Sequence, residues 1–479
     1  MLFNSYQFLI FFPLVSILYF VLPQKYRVTI LLIASVIFYI AFIPKYIFVL
    51  LTLIFVDYFA GILIESTKNK KKKRVYLIAS ILSNIGILGL FKYFNFFVIN
   101  LEILAHFLHW NYSTNLLSII LPIGLSFHTF QSMSYVIEVF KGRQKAEKNI
   151  LIYSLYVMFY PQLVAGPIER PQHLLPQLKK KHKFDYNSTT GGLKLMAWGF
   201  FQKLVIADRL ANFVNPVYNN PQRYDGISFI VATVFFAIQI YCDFSGYVDI
   251  ARGSAKVMGI TLVENFNTPY FATSVRDFWR RWHMSLFAWF KDYIYIPLGG
   301  NRKGDLITIR NVAIVFFVTG LWHGAKWTFV LWGAIHGTYL IIEIALSKFP
   351  IRQNKHLRSF STFILVCFAW IFFRANSVHD AFYISAHLFD GVGNFFLNII
   401  DKNVIYNKVL IRRPLDEFLI AIISIGILIL VDLKRRSISI ENILSKTPFW
   451  LRWSVYYAII LSTLIYGVFN QSRFIYFQF

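Results

Sequence analysis

The sequence predicts an all-α polytopic membrane protein. Of its 479 residues, 57% are hydrophobic and only 15% are charged, whereas a soluble domain has about 25% charged residues. Apolar runs of roughly 15–25 residues recur from one end of the chain to the other, which is the length that a bilayer core requires of a helix. We expect residues 1–479 to form one integral-membrane domain.

The net charge of +25 could indicate binding to nucleic acid, but the Lys and Arg residues are concentrated in short loops between apolar segments. This is the positive-inside pattern of membrane proteins, and a basic face would also attract an anionic cytosolic donor. No nucleic-acid partner is therefore predicted. The two cysteines, Cys242 and Cys367, both lie in apolar segments, which argues against a disulfide framework or a zinc site, and no metal ion is predicted.

The first apolar stretch is followed by PQKYR rather than by a small-residue cleavage motif. We therefore expect a retained helix rather than a signal peptide. The predicted spans are 6–22, 28–43, 46–64, 75–99, 118–139, 190–207, 226–242, the two arms of a hairpin between 310 and 348, 359–373, 417–432 and 451–468.

Basic loops predict the orientation of these spans. The run KNKKKKR, Lys68 to Arg74, should be cytosolic, whereas 100–118 contains no Lys or Arg, so the N-terminus is expected outside. Basic loops flank 150–165 on both sides, and also 283–298, so both segments are predicted to be re-entrant. Their Pro- and Gly-rich ends suit broken helices, which are tolerated at membrane depth only inside protein or beside a water-filled cavity.

The hairpin that follows carries a histidine in an otherwise apolar tip, GLWHGAKW. Only 37 residues lie between Arg310 and Lys348, fewer than the about 40 plus a turn that two complete spans need. The tip is therefore expected to stop short of the outer surface. His323 would then lie within the membrane thickness, at a bend softened by Gly320 and Gly324.

Three clusters of ionisable residues lie in or beside apolar segments, where such groups are costly and usually functional. YCDFSGYVDIARG contains Asp243, Asp249 and Arg252, RDFWRRWHMSLFAWFKDYIYIPLGGNR contains His283, and the third cluster is the tip with His323. A buried neutral imidazole can take a proton from a hydroxyl that attacks a thioester, or can itself carry the acyl group. Nearby basic loops suit the phosphates of coenzyme A or phosphopantetheine.

Structural interpretations of these residues stay open beside the functional ones. A histidine in a membrane helix serves interhelical hydrogen bonding about as often as function, and we interpret His128 in this way. His336 lies thirteen residues beyond the tip histidine and is expected near the opposite helix face. Asp243 and Asp249 can simply pair with Arg252 or with lysines.

Taken together and in this order, the motifs resemble the membrane-bound O-acyltransferase superfamily, and most closely its bacterial branch containing the alginate O-acetyltransferase membrane subunit. The resemblance extends over nearly the whole chain. The segments that carry it are SYQFLIFFP, FKYFNFF (91–97), LPIGLSFHTFQSMSYVIEVF (121–140), YPQLVAGPIERP (160–171), IQIYCDFSGYVDIARGSAKVMGI (238–260), FWRRWHMSLFAWFKDYIYIPLGGNR (278–302), GLWHGAKWTFVLWGAIHG (320–337) and FIYFQF (474–479).

The resemblance implies a ring of about 11–13 transmembrane helices plus re-entrant segments around a central tunnel, with the catalytic core at about 118–346. It implies an O-acetyltransferase of the bacterial inner membrane that uses a cytosolic thioester, acetyl-CoA, and no permanently bound cofactor. The acetyl group would reach alginate-like exopolysaccharide, cellulose or peptidoglycan with the help of a periplasmic acetyltransferase partner. The implied catalytic residues are His323 and His283, with tunnel or donor-binding support from Asp243, Arg280, Arg281, Trp282, Trp322 and Lys326.

One residue departs from the family pattern, because a small neutral or amide residue usually follows HGA and Lys326 stands there instead. A cation three residues from His323 could stabilise a developing oxyanion. It could also merely extend its amine to the membrane interface.

Two other functions fit the sequence. D-alanyl transfer from a carrier protein to teichoic acid occurs in the same superfamily, although FIYFQF and YPQLVAGPIERP resemble the alginate-like branch. A proton-coupled transporter or flippase could use His323, Asp243 and Asp249 as a relay, and broken helices occur in such carriers. No internal repeat of the kind common in carriers is visible in the sequence.

Overall fold

A computed structural model describes residues 1–42, 44–110, 112–117, 122, 124–164, 166–347, 354–436, 438, 440–444, 447–469 and 474–475. Within these ranges the regular secondary structure is entirely helical, and no strand occurs in them. The predicted all-α class is confirmed.

The α-helices differ widely in length, and three of them continue into π-helical stretches at Gly89–Tyr93, Phe201–Ala207 and Lys291–Tyr295. In chain order they are α1 Tyr6–Val21, α2 Gln24–Ile40, α3 Ile47–Ser66, α4 Lys70–Leu88, α5 Phe94–Phe107, α6 Leu125–Phe140, α7 Ile150–Met158, α8 Pro171–Lys179, α9 Tyr186–Phe200, α10 Asp208–Asn219, α11 Gly226–Val257, α12 Val275–Trp279, α13 Met284–Phe290, α14 Asp305–His323, α15 Trp327–Leu346, α16 Lys355–Arg374, α17 Val378–Ala386, α18 Val392–Leu397, α19 Lys402–Lys408, α20 Leu415–Arg435 and α21 Phe449–Tyr466.

Six helical segments of the described chain are long and apolar enough to cross a membrane. They are Pro44–Ser66, Lys70–Phe107, Gly226–Val257, Asp305–His323, Trp327–Leu346 and Lys355–Arg374. The sequence predicts eleven to thirteen spans, and part of the difference arises because α1, α2 and α6 have only 16 or 17 residues. A helix of 16 residues is about 24 Å long, somewhat less than the hydrocarbon core of a bilayer.

The segment predicted to be the first re-entrant piece contains a short helix and then a break. Helix α7 has nine residues, so it extends over only about 13 Å. The chain turns at 160–164 before α8 begins. The second such piece, 283–298, likewise contains the short α13 and the π-helical stretch after it.

The span predicted at 226–242 is longer in the structure, because α11 continues to Val257. Asp249 lies in this continuation of the helix. In the structure its carboxylate is buried and lies 3.6 Å from Nη1 of Arg435. Since the charge is compensated within the protein, the helix does not have to end where the acidic residue appears.

Helices α14 and α15 form a closely packed hairpin. A Cβ added at Gly320 would lie 2.5 Å from the carbonyl oxygen of Phe329, and one at Gly333 would lie 2.3 Å from that of Phe316. Backbones approach this closely only where glycine removes the side chain. The glycines therefore determine how near the two arms of the hairpin come to each other.

The hairpin is longer than the loop charges suggested. Arg310 lies inside α14, which begins at Asp305 and has 19 residues, so this arm extends over about 28 Å. The expectation that the tip stops short of the outer surface assumed that the first arm begins after Arg310. Because the arm begins five residues earlier, at Asp305, that expectation no longer follows.

The chain divides into two compact units, Met1–Leu193 with Ala251–Val263, and Lys194–Ile250 with Glu264–Phe479. In the first unit, the buried carboxylate of Asp57 accepts hydrogen bonds from Ser80 Oγ at 2.6 Å and from Asn84 Nδ2 at 3.0 Å. These bonds join α3 to α4 by polar contacts within an apolar unit. All the residues predicted to act at the site belong to the second unit.

Candidate active site

His323 is the last residue of α14 and lies at the turn between the hairpin arms. Only 3% of its surface is exposed. Three aromatic rings stand nearly perpendicular to the imidazole, with centroids at 4.9 Å for Trp322, 4.8 Å for Trp332 and 5.4 Å for Phe373. The imidazole is therefore surrounded by aromatic rings, in a position that restricts access of water.

The glycines near this turn act differently from the sequence expectation. Helix α14 continues through Gly320, so the chain leaves the helix only after His323. Gly324 has an extended backbone with φ of −168°, which any residue can adopt. It is needed for space, since a Cβ at this position would lie 2.2 Å from the ring of Phe329.

His283 precedes α13 and is fully buried. Its backbone φ of 46° lies in the left-handed region, which costs a non-glycine residue about 1–3 kcal/mol and is common at functional sites. Nδ1 of His283 lies 3.3 Å from Oδ1 of Asn265, and the backbone N–H of Ser285 donates to the same oxygen at 3.0 Å. A backbone N–H can only donate, which identifies that atom as the amide oxygen.

The hydrogen bond to Asn265 determines the tautomer of the imidazole. Because the amide oxygen accepts, the proton lies on Nδ1 of His283 and Nε2 carries the lone pair. A neutral imidazole with this tautomer can act as a base or as a nucleophile through Nε2.

One indole joins the two predicted histidines. The ring centroid of Trp322 lies 5.9 Å from that of His283 and 4.9 Å from that of His323. The two histidines are 40 residues apart in the sequence, and the structure brings them to the same side chain. Phe244 of α11 covers His283 with a centroid distance of 4.7 Å.

His336 belongs to the same group of rings, and its predicted place on an opposite helix face is wrong. The count of thirteen residues assumed one continuous helix, whereas α14 ends at His323 and His336 lies on α15. Trp332 contacts both imidazoles, at centroid distances of 4.8 and 5.1 Å. We call His283, Trp322, His323, Trp332 and His336 the histidine cluster.

Trp279 connects this cluster to a cavity. Its indole Nε1 donates to Nδ1 of His336 at 3.3 Å, and its ring also lines a cavity of about 930 Å³. The cavity lining has a single carboxylate, Asp305, and does not include His283 or His323 among the described residues. The cations that line it are Arg276, Arg280, Lys291, Arg302 and Lys303. An excess of cations beside aromatic walls suits a phosphate-bearing ligand with an apolar arm.

The three residues of the RRW motif have different surroundings. Arg280 is exposed and lines the cavity. Arg281 donates through Nε to Oδ1 of Asp277 at 2.9 Å and is not part of the described cavity lining. Trp282 is fully buried and stacks on Phe278 with centroids 5.5 Å apart. Only Arg280 of the three is placed to meet a ligand in the cavity.

Asp243 forms part of a buried ion-pair group. Its Oδ1 lies 2.6 Å from Nζ of Lys203, which also lies 2.7 Å from Oδ1 of Asp208. Oδ2 of Asp243 accepts a hydrogen bond from the backbone N–H of Ile475 at 2.7 Å. These contacts favour the structural interpretation of Asp243. We call Lys203, Asp208 and Asp243 the ion-pair group.

Lys326 lies at the tip of the hairpin, immediately before α15. Its side chain is exposed, whereas the ring of His323 is buried. This position agrees better with a lysine that extends toward the membrane interface than with one that stabilises an oxyanion beside the imidazole.

Sequence reasoning missed Asn265, Trp332 and Lys203. Lys203 could have been found, because it is an ionisable residue inside the apolar span predicted at 190–207, and such residues are costly. Trp332 belongs to a motif that was singled out, but nothing in the motif distinguishes a bridging tryptophan from a packing one. Asn265 lies in a segment with no periodic pattern, so no signal in the sequence marks it.

Comparison with known proteins identifies the class. Residues 143–379 match the model of the membrane-bound O-acyltransferase family. The chain is 33% identical over 472 residues to a peptidoglycan O-acetyltransferase of Helicobacter pylori, with 89% of each protein covered. It is 38% identical over 388 residues to a probable alginate O-acetylase of Pseudomonas putida, with 80% of this chain and 79% of the relative covered. A teichoic acid D-alanyltransferase of Bacillus subtilis is 26% identical over 278 residues, with coverage of 54% and 69%.

The apolar helices and these relatives together define a multi-pass membrane enzyme that transfers acyl groups. The chain belongs to the membrane-bound O-acyltransferase family. The resemblance found in the motifs is thereby confirmed. The transporter alternative is not supported, because membership places the chain among acyl-transferring enzymes.

Proposed function

We propose that this protein moves an acetyl group from a cytosolic thioester, acetyl-CoA, across the bacterial inner membrane for the O-acetylation of an extracytoplasmic polysaccharide. The observation that carries the proposal is the contact of Trp322 with both His283 and His323. The relatives named for O-acetylation of peptidoglycan and alginate support an acetyl group and a cell-envelope polymer.

The histidine cluster suits two routes for the transfer. In the first, His323 takes the proton of the acceptor hydroxyl while the hydroxyl oxygen attacks the thioester carbonyl. The C–O bond forms, the C–S bond breaks, and the thiolate leaves with the proton returned by the imidazole. In the second, an imidazole nitrogen attacks the carbonyl, the thiol leaves, and the acyl-imidazole then passes the acyl group to the hydroxyl.

The aromatic surroundings support either route. Water that reached a thioester or an acyl-imidazole would hydrolyse it, and the indoles around His323 restrict that access. In either route His283, whose Nε2 carries the lone pair, would orient the acceptor.

The basic cavity is the proposed site for the donor. Five cations and one carboxylate line it, so the phosphates of coenzyme A would find charge-assisted hydrogen bonds there. Basic loops face the cytosol in the proposed orientation, which has the N-terminus outside. A periplasmic acetyltransferase is the proposed partner that esterifies the polymer.

The decisive experiment removes the tip imidazole. Cells with His323→Ala should lose ester-linked acetate from the affected envelope polymer, measured by gas chromatography after mild base treatment, while the protein remains in the membrane at its normal level. His128→Ala is the matched control, because His128 is also a buried histidine, with 2% exposure, on α6. Normal acetylation in His323→Ala cells would eliminate the proposed role.

D-alanyl transfer to teichoic acid is the second candidate, and the similarity to teichoic acid D-alanyltransferases favours it. The two candidates differ in the donor. With a hydroxyl acceptor present, purified protein should release coenzyme A from acetyl-CoA if the first candidate holds, and should discharge a D-alanyl carrier protein if the second holds. The five cations of the cavity favour coenzyme A, which carries several phosphate charges, over the single phosphate of a carrier-bound phosphopantetheine.

A further inference from the structure

We propose that Trp279, held in place by His336, determines the length of the acyl group that the enzyme accepts. The proposal rests on the proposed acyl transfer and adds a specificity-determining residue to it. Neither residue touches the reacting atoms in this proposal, since Trp279 acts as a wall and His336 as the positioning residue for that wall.

Trp279 occupies the boundary between the cavity and the histidine cluster. It lines the cavity, yet only 3% of its surface is exposed. Its ring centroid lies 5.3 Å from that of Phe316, which also lines the cavity, and 5.7 Å from that of Trp332. Trp332 in turn contacts His323 at 4.8 Å. Along these contacts, Trp279 lies between the cavity and the rings of Trp332 and His323.

His336 fixes the orientation of this ring. The indole N–H of Trp279 donates to Nδ1 of His336 at 3.3 Å, and the two rings are nearly perpendicular at 82°. Because an indole N–H only donates, Nδ1 accepts and the neutral imidazole carries its proton on Nε2. Phe278 stacks on the imidazole with an interplanar angle of 4°, which restricts rotation of His336 itself.

The helix that carries Trp279 is also held at its other end. Glu343 on α15 accepts hydrogen bonds from the backbone N–H groups of Val275 and Arg276, the latter at 3.1 Å. Glu343 lies seven residues after His336, which places both on one face of α15. Helix α12 is therefore attached to α15 at both ends, and the position of Trp279 does not depend on a flexible loop.

A rigid wall at this point discriminates by length. An acetyl group presents one methyl to the indole, whereas a butyryl group presents two further methylenes that must displace a ring held by a hydrogen bond. One methylene too many in a closed apolar site changes the specificity ratio by about tenfold or more. We expect the intact enzyme to prefer acetyl over butyryl donors by at least that ratio.

The test substitutes Trp279 and His336 separately. Purified protein is given acetyl-, propionyl- or butyryl-CoA together with an envelope polysaccharide as hydroxyl acceptor, and coenzyme A release is followed with a thiol reagent. Trp279→Ala should raise the butyryl-to-acetyl ratio by about tenfold or more. Trp279→Phe, which keeps a ring but loses the N–H, should raise it less. Trp289→Ala is the control, because Trp289 is a buried tryptophan on α13 that is not part of the described cavity lining.

The role of His336 has its own pair of variants. Asn places an acceptor near the position of Nδ1, so His336→Asn should keep the chain-length ratio, whereas His336→Leu should raise it. A structural role alone would lower all rates equally and leave the ratio unchanged in both variants. Unchanged ratios in Trp279→Ala and His336→Leu would overturn the proposal.

The same variants in cells keep the inference independent of the donor. Acyl groups released from the envelope by mild base are separated by gas chromatography, and this measurement does not require coenzyme A to be the carrier. If purified wild-type protein does not cleave acetyl-CoA, the proposed donor is wrong. Propionate or butyrate esters in Trp279→Ala cells alone would still support the length restriction, and acetate alone in all variants would overturn it.

Discussion

The buried ionisable side chains of the ion-pair group have charged partners, whereas those of the histidine cluster have neutral ones. In the ion-pair group, the ammonium of Lys203 lies 2.6–2.7 Å from the carboxylates of Asp243 and Asp208. In the histidine cluster, the hydrogen bonds described for two of the imidazoles involve neutral groups. Asn265 faces His283 and the indole of Trp279 donates to His336.

This difference separates structural from chemical roles. A buried charge that is compensated by an opposite charge contributes to the arrangement of helices, and removing one partner leaves the other uncompensated. A neutral imidazole among aromatic rings does not require an opposite charge beside it and can exchange a proton with a substrate. We therefore expect variants in the ion-pair group to change stability and variants in the histidine cluster to change rate.

The largest effect in the comparison should come from Lys203→Met. It leaves two buried carboxylates without their cation, and the expected loss in the free energy of unfolding is about 3–5 kcal/mol. Thermal unfolding of the purified protein in detergent measures this loss. The activity of the fraction that remains folded should be close to normal.

A triple variant provides the control for this prediction. Lys203→Met combined with Asp208→Asn and Asp243→Asn removes all three charges, so most of the stability should return. If the triple variant is stable but inactive, the ion-pair group takes part in the reaction and the contrast with the histidine cluster fails.

The sequence predicted the helical class and the hairpin, because both depend on local apolar length. It also singled out His283 and His323 as rare ionisable residues in apolar surroundings, and both are buried. It did not predict the continuation of α11 past Asp249, since that depends on Arg435, 186 residues away. The position of His336 was missed for a related reason. Its face can be assigned only when the end of α14 at His323 is known, and helix ends depend on tertiary packing.

An intermediate effect is expected at Asn265, the residue that sets the tautomer of His283. Asn265→Leu removes the amide oxygen that accepts from His283 and Ser285, so the imidazole loses its orientation. We expect kcat to fall about tenfold or more, with little change in KM for acetyl-CoA. Steady-state kinetics on the purified enzyme separate these two constants.

Ser285→Ala is the matched control for Asn265. It removes the hydroxyl that donates to Oδ1 of Asn265 at 2.9 Å but leaves the backbone N–H and the contact with His283 in place. Its kcat should stay within about twofold of normal, since the orientation of the imidazole is unchanged. Equal losses in the two variants would show that the loop, rather than the tautomer, limits the rate.

The smallest expected effect is on KM, and it concerns the two adjacent arginines of the RRW motif. They allow a charge that lines the cavity to be compared with a neighbouring charge that is paired. Arg280 lines the cavity, whereas Arg281 is bound to Asp277. Because Arg280 is exposed, its contact with a donor phosphate should be worth up to about 1 kcal/mol. Arg280→Ala should therefore raise KM for acetyl-CoA about three- to fivefold, and the difference from wild type should shrink as salt is added.

Arg281→Ala is the control and should leave KM unchanged, because Arg281 already forms an ion pair with Asp277. The reverse order of the two KM values would place the donor outside the cavity.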